Sequence, residues 1–547
     1  MNHLAKTVIF CTALPVTVLL GGIEAAIAKF NLGEATVDSI QQGLSSGAVT
    51  CTEITQLYLN RINAYDDQGP TLNAIIATNP NALSIAAELD AAYMTAGPVG
   101  SLHCVPVILK DNFDTFDMPT TAGALALEGF FTGEDAFQVS GLREAGALIL
   151  AKANLSEFAF AFTSTSSLGG TTVNPYDPIR NAGGSSGGTG AAIAANFGVL
   201  GFGTDTGGSI RVPSSFNSLV GVRPTIGLSS RSGIVPLALT QDVGGSMTRT
   251  VKDAALALNA TVGFDPEDPA TAGSEGNIPE DYTAFLNPDG LQGARIGVVR
   301  DVFGLDSNPE SAKTTAVINS AIDSLMALGA DVEDVTIPNL SEILSFPSLS
   351  SFEFKRDLNN YLADRPVPPS GVRNLGDIID SGLYLEAFEG AYISRNERPA
   401  PEEDPEYLRI ITERPVLTQT ALLAALTGYD ALIYPSVASP PNILGQGLAS
   451  GAGNRLSPFS GFPAITVPAG FTEDGLPVGL EFLGRAYDEP TLLKLTYAFE
   501  QGTGFRRPPD TTPQLAGEKI PEPGTTAALF VFVGGTLCFL RKKAQLV

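Results

Sequence analysis

Apolar and polar positions run along the chain in short blocks that read alternately as strands and helices. Residues 105–110, VPVILK, make an unbroken apolar run that ends on a lysine, and residues 147–153, ALILAKA, repeat the pattern. Runs of this length read as buried strands. The pattern is helical over residues 50–62, TCTEITQLYLNRI, and around Leu142–Glu144. Residues 188–198, GTGAAIAANFG, suit a tightly packed helix, and residues 199–205, VLGFGTD, suit a buried strand. This alternation predicts an α/β fold. No fixed-period repeat and no long Gly/Ser or Pro-rich linker divides the chain, so one large domain is expected despite the length of 547 residues. Residues 260–290 and 396–406, rich in Pro, Gly and acids, read as surface loops.

Two apolar segments stand outside that alternation. Thr7–Leu20 follows Lys6 and leads to Ala26, Ile27 and Ala28, arranged like a signal-peptidase site, so residues 1–28 read as a signal peptide. Thr525–Leu540 follows Pro521, Glu522 and Pro523 and is closed by Arg541, Lys542 and Lys543. The segment is short for a helix that needs roughly 20 residues to cross a bilayer. Its arrangement resembles the PEP-CTERM sorting signal, in which a Pro-Glu-Pro motif, a hydrophobic helix and a basic end are recognised and processed. A permanent anchor with its basic end inside is the alternative. The expected division is a catalytic domain over 29–510, a linker over 511–524, and a sorting or anchor helix with a basic tail over 525–547. It implies a secreted or surface-held product. Its partners would be a signal peptidase and a tail-processing enzyme, and only the C-terminal helix would touch the membrane.

Without these ends, 28 Lys and Arg stand against 57 Asp and Glu, a net charge of −29. Such a surface repels nucleic acid and anionic lipid, so no nucleic-acid partner is expected. Cys11 and Cys538 lie in the end segments, leaving Cys51 and Cys104. A disulfide framework is ruled out; the pair reads as two unrelated thiols, with a single bridge as the alternative in an oxidising compartment. Beyond His3 the chain has one histidine, His103. A zinc site would have to gather His103, Cys51, Cys104 and a carboxylate without any recognisable ligand spacing, so no metal is expected. A Ser-His-Asp triad would rest on His103 alone, and no convincing GxSxG elbow accompanies it. His103 reads as a structural residue at the entrance of the 105–110 strand.

Residues 183–208 hold ten glycines, beginning with GGSSGG and ending in TDTGG before Ser209. Glycines around a helix and a strand suggest backbone held in conformations that side chains would forbid. Such backbone can aim several N–H groups at one carbonyl oxygen, as an oxyanion hole requires. Thr206, Gly207, Gly208 and Ser209 are the candidates. The segment lacks both the GxxxxGK[ST] phosphate loop and the dinucleotide fingerprint, so no cofactor is expected.

GGSSGG together with GFGTDTGGSIRVPSSFNSLVGVRPT at 201–225, and VPVILKDN at 105–112 upstream, resembles the signature of the amidase-signature hydrolases. The resemblance runs from residue 50 to residue 501. It implies a single large domain with a twisted mixed β-sheet sandwiched between helices. It also implies a Ser-Ser-Lys triad: Ser209 as nucleophile, Ser185 as a bridging serine preceded by a cis peptide bond, and Lys110 as base. Asp205 and Arg211 would then be scaffold for the oxyanion loop. Ser186 is either a hydrogen-bonding neighbour of the triad or a structural turn residue. Thr163–Gly170 would be a polar wall near the site, and Glu157 and the apolar residues around it scaffold or pocket lining.

A serine hydroxyl needs a neighbour able to take its proton. Lysine, with an ordinary pKa of about 10.4, cannot do so unless burial disfavours the ammonium. Lys110 ends an apolar strand and is a candidate for such burial; the bland alternative is a lysine paired with Asp111 or Asp114. By resemblance, the segments at 231–255 and 453–468 are closest to stand-alone amidases, including peptide amidases that remove a C-terminal carboxamide. The competing readings are the glutamine amidotransferase chain that corrects misacylated tRNA, and a surface binding protein that keeps the fold without catalysis.

Overall fold

The computed structural model describes residues 30–518 except 306 and 447–451. The proposed signal peptide, Pro-Glu-Pro motif and tail helix lie outside the described residues. Among these residues no helix is long and apolar enough to cross a membrane.

Eleven strands join into one mixed sheet: β1 (Ile75–Thr78), β2 (Pro106–Lys110), β3 (Leu148–Ala153), β4 (Leu200–Asp205), β5 (Val220–Arg223), β6 (Val243–Thr248), β7 (Arg295–Val298), β8 (Asp331–Asp334), β9 (Ala431–Pro435), β10 (Ala464–Phe471) and β11 (Pro477–Leu483). Their spatial order is β1-β3-β2-β4-β6-β5-β10-β11-β9-β7-β8. β3, β2 and β4 run parallel to one another, as do β9, β7 and β8, and the strands between these groups are antiparallel. The expected single domain with a mixed sheet flanked by helices is what the chain forms. β2, β3 and β4 are buried along their whole length, which explains their near-continuous apolar runs.

The helix over 50–62 is realised as Cys51–Tyr65, opened by a capping box in which Thr50 and Glu53 satisfy each other's backbone N–H. Residues 188–198 give a shorter helix, Gly187–Ala194. The glycine expectation needs correction: of the ten glycines in 183–208, only Gly183 and Gly208 have positive φ. Most of the others allow close approach instead. A Cβ at Gly201 of β4 would lie 2.6 Å from the Ile193 and Thr189 side chains of the helix, and one at Gly188 would lie 2.6 Å from the Ala74 carbonyl oxygen. The small residues let helix and sheet meet almost backbone to backbone.

A second correction concerns the cysteines. Cys51 and Cys104, expected as unrelated thiols, form a disulfide with Cα atoms 5.6 Å apart. Both are fully buried, Cys51 opening its helix and Cys104 just before β2, so packing brings together residues 53 apart in sequence. The bridge ties that helix to the entrance of the strand that ends in Lys110. Residues 511–518, read as the start of a linker, lie against the domain: Arg61 pairs with Glu518 at 2.9 Å and donates to the Pro513 carbonyl at 3.0 Å.

Candidate active site

The C-terminal ends of the parallel strands β2 and β4 deliver two parts of the site, at the edge where open α/β sheets carry their ligands. Lys110 is the last residue of β2 and is fully buried. Its Nζ lies 2.7 Å from Ser185 Oγ and 2.6 Å from Thr204 Oγ1, and Thr204 also accepts from Asn112 Nδ2 at 3.1 Å. Asp111 and Asp114 are not its partners. Asp111 accepts from Thr121 and Lys152, and Asp114 from Tyr361 and Arg365. Burial pushes the Lys110 pKa down to about 7, against the opposing pull of Asp242 and Asp205.

Ser185 lies in the turn before the Gly187–Ala194 helix, after a cis Gly184–Ser185 peptide. Its carbonyl accepts from the Ser156 N–H at 3.0 Å. Ser164, from the expected polar wall, fastens the same turn by accepting from the Gly187 N–H at 2.8 Å and donating to the Gly183 carbonyl at 2.9 Å. Ser186 bonds Thr204 on β4, donating to its carbonyl at 3.2 Å and accepting from its N–H at 3.3 Å, so it steadies the residue that holds Lys110. The Ser186 N–H reaches the Ser209 carbonyl at 3.2 Å, linking the two serine-bearing turns.

Ser209 follows β4 and lines a cavity of about 350 Å³ with Thr206 and Gly207. Gly208 differs: its N–H donates to Asp205 Oδ1 at 2.7 Å, so of the four candidate amides this one is already committed. Its φ of 137° favours glycine, and a Cβ added at Gly207 would meet no atom within 4 Å, so that turn opens onto free space. Beneath it Asp205 is held by Arg211 at 3.0 Å and Arg223 at 3.0 Å, and Arg211 reaches Glu481 at 2.6 Å, all fully buried. Burial alone would raise the Asp205 pKa, but the two guanidinium groups hold it well below the usual carboxylate range. Asp205 and Arg211 are therefore scaffold, as the sequence reading has them.

Phe160 and Phe162, from the apolar segment around Glu157 read as scaffold or pocket lining, line the rest of the cavity together with residues that the sequence does not single out as site residues, Leu237, Gln241, Asn454 and Phe459 among them. Asp242, opposite the end of β4, accepts from Thr206 Oγ1 and from the Leu237 and Ala238 N–H groups at 2.8 and 2.9 Å. Glu157 accepts from Ser167 N–H at 2.8 Å and Tyr392 at 2.6 Å, behind the aromatic wall. His103 sits at the other end of β2, a strand's length from Lys110. Its Nε2 is buried without a partner and its Nδ1 accepts from the Val99 N–H at 3.2 Å. Among the described residues no three His, Cys, Asp or Glu side chains converge as metal ligands would.

A family model described as Amidase matches residues 53–493. A probable amidase of Arabidopsis thaliana is 36% identical over 514 residues, covering 88% of this chain and 92% of that protein. The A chain of the glutamyl-tRNA(Gln) amidotransferase of a Cyanothece species is 33% identical over 496 residues, covering 88% of this chain and 100% of that protein. The native peptide amidase of Stenotrophomonas maltophilia superposes with a TM-score of 0.81 at 37% identity, covering 88% of this chain and 100% of that one.

Proposed function

Since the chain belongs to the amidase family, whose members hydrolyse amides, we propose that it cuts a carboxamide with Ser209 as nucleophile, Ser185 as proton relay and Lys110 as base. The observation that carries the reading is the fully buried Lys110 amine, 2.7 Å from Ser185 Oγ, with no carboxylate among its hydrogen-bond partners. In such a setting the neutral amine is accessible near neutral pH.

Neutral Lys110 accepts the Ser185 hydroxyl proton while Ser185 takes that of Ser209. The Ser209 oxygen bonds the carbonyl carbon, whose π pair moves onto oxygen. The N–H groups of Thr206, Gly207 and Ser209 receive that oxyanion; Gly208, whose N–H is engaged by Asp205, has no share in it. Collapse breaks the C–N bond, and the proton returns from Lys110 through Ser185 to the leaving nitrogen. Water then repeats the sequence on the Ser209 acyl-enzyme and releases a carboxylic acid.

The substrate reading is a peptide with a C-terminal carboxamide. It rests on the structural likeness to a peptide amidase and on a cavity whose aromatic walls, Phe160, Phe162 and Phe459, suit an amino-acid side chain next to the scissile bond. A chain of a tRNA-dependent amidotransferase is the second reading, favoured by the 33% identity to such a chain. It ranks lower because the excess of 57 acidic over 28 basic residues in 29–523 repels tRNA. Export is also part of the proposal. It rests on the apolar segments 7–20 and 525–540 and on the Cys51–Cys104 bridge, a bond that persists in oxidising compartments.

Ammonia release from peptide amides, together with intact-mass detection of a fluorophosphonate adduct, tests the chemistry. Turnover and a single adduct that disappears in Ser209→Ala are expected. An adduct that survives Ser209→Ala and is lost in another serine variant would refute the assignment. Cell fractionation with mass spectrometry of both chain ends tests the address, and the uncut chain in the cytoplasm would defeat it.

A further inference from the structure

We infer that Gln241 and Arg414 are positioning residues that aim the Gly207 N–H at the substrate oxygen, acting through the Thr206 carbonyl. The inference rests on the proposed serine chemistry and adds to it two residues from outside the glycine-rich segment.

Gln241 lines the cavity, and both ends of its amide are engaged in hydrogen bonds. Its Nε2 donates to the Thr206 carbonyl at 2.8 Å. Its Oε1 accepts from the Leu349 N–H at 2.8 Å and from the Arg414 guanidinium at 3.0 Å. Two donors on one end fix which end is oxygen, so the amide can present only N–H to Thr206. Arg414 is itself held rigidly: it donates to the Pro347 carbonyl at 2.9 Å, stacks 4.1 Å from the Phe459 ring centroid, and is 2% exposed. Burial lowers its pKa to about 10, which leaves it cationic at neutral pH.

The Thr206 carbonyl and the Gly207 N–H belong to one planar trans peptide and point in opposite directions. Gln241 draws the carbonyl to one side and so turns the N–H to the other. The next peptide is pinned in the same way, since the Gly208 N–H is bonded to Asp205 at 2.7 Å. Gly207 has no side chain, and an added Cβ would touch nothing within 4 Å, so the turn lacks packing of its own to hold this orientation. The Arg414–Gln241 contact supplies it from a helix, Pro405–Ala425, that lies roughly 200 residues further along the chain.

The test uses the full-length enzyme and any amide that the wild type turns over. Gln241→Glu keeps an acceptor for Arg414 and Leu349 but has no proton for Thr206. Expected is a fall in kcat of about 30- to 100-fold with KM within about threefold, less than the loss of an oxyanion donor outright. A peptide aldehyde, whose tetrahedral adduct with Ser209 places an oxyanion in the same position, should lose affinity in proportion to kcat/KM. Arg414→Met should give a smaller loss of the same kind and Arg414→Lys should recover part of it. The double variant Gln241→Glu/Arg414→Met should fall no further than its worse parent. A rise in KM with kcat preserved, aldehyde affinity unchanged while kcat falls, or independent losses in the double variant would each overturn the inference. Absence of turnover in the wild type, by contrast, would strike the proposed function itself. If Arg414→Met fails to fold, Gln241→Glu and Arg414→Lys still decide.

Discussion

Lys110 and Lys152 are both fully buried, on the neighbouring parallel strands β2 and β3, yet they are wired for opposite purposes. Register explains the difference. Lys152 stands opposite Leu109, and Lys110 opposite Ala153, so the two amines leave opposite faces of the sheet. On its face Lys152 meets the Phe113 and Pro119 carbonyls at 2.6 and 3.0 Å, Thr120 at 3.1 Å and Asp111 at 3.4 Å. Carbonyl oxygens only accept, so that environment demands an ammonium; burial pushes its pKa down, and Asp111 and Asp114 oppose the push. Lys110 meets only the Ser185 and Thr204 hydroxyls, which can donate as well as accept, so the neutral amine fits there too. The contrast teaches that burial alone does not make a lysine a base; what matters is whether its partners tolerate loss of the proton.

Substituting each lysine by methionine should separate the two roles. Lys110→Met should lower kcat/KM by about a thousandfold or more, the scale of losing a general base, in a protein that still folds. Lys152→Met should instead cost about 3–5 kcal/mol of stability, because Asp111 and two carbonyls are left buried without their cation. Guanidinium unfolding and steady-state rates on both variants check this. A Lys152→Met protein that is stable but inactive, or a Lys110→Met protein that is unfolded, would erase the distinction.

The sequence supports one half of this comparison and misses the other. Lys110, Ser185 and Ser209 stand out because each lies within a local motif, and the fold puts Lys110 2.7 Å from Ser185 and Ser209 on the cavity wall. The pairing of Lys110 with Asp111 is the natural alternative from adjacency. It fails because alternation along a strand separates neighbours that a linear reading places together. Gln241, Phe459 and Arg414 carry no catalytic motif: Gln241 and Phe459 reach the cavity from the turn before β6 and from the Leu456–Ser460 helix, and Arg414 reaches Gln241 from the Pro405–Ala425 helix. The glycines stand out in the sequence, but as a sign of turn conformation rather than of close helix–sheet contact, since composition does not reveal which strand faces which helix. The cysteine bridge escapes a linear reading for the same reason: a pairing across 53 residues depends on packing.

The pH dependence of stability sharpens the comparison at a lower energy. The unfolded Lys110 titrates near 10.4 and the folded one at about 7. Below pH 7 both states carry the proton and the full cost of the buried ammonium is present. Between these values the unfolded chain binds more protons, so stability rises with pH. Over pH 7 to 9 this group contributes a gain of about 2 kcal/mol in the wild type, which Lys110→Met should lack. The variant should thus gain ground on the wild type at acidic pH and lose it at alkaline pH. In the same window kcat/KM of the wild type should climb and then level off as the neutral base fills. A stability difference independent of pH would mean that Lys110 stays charged in the fold.

The smallest expected effect concerns the hydroxyl that distinguishes the surroundings of Lys110. Thr204 Oγ1 accepts from Lys110 at 2.6 Å and from Asn112 at 3.1 Å, so both donors are directed at one oxygen. A neutral amine has two protons and one lone pair; giving one proton to Thr204 turns the lone pair toward Ser185. Thr204→Val keeps the shape and removes that anchor. Stability should change by about 1–2 kcal/mol, the cost of leaving a donor unpaired. kcat/KM should fall about tenfold, far less than in Lys110→Met, because the base remains but samples unproductive rotations. The pH profile should also move to lower pH, since the ammonium loses an acceptor and is disfavoured. Rates measured across pH 5 to 10 decide between the outcomes. A loss as large as that of Lys110→Met would make Thr204 a proton carrier in its own right. An unchanged rate and profile would show that hydroxyl partners do not set the orientation of the Lys110 amine, and the contrast with Lys152 would then rest on burial and charge alone.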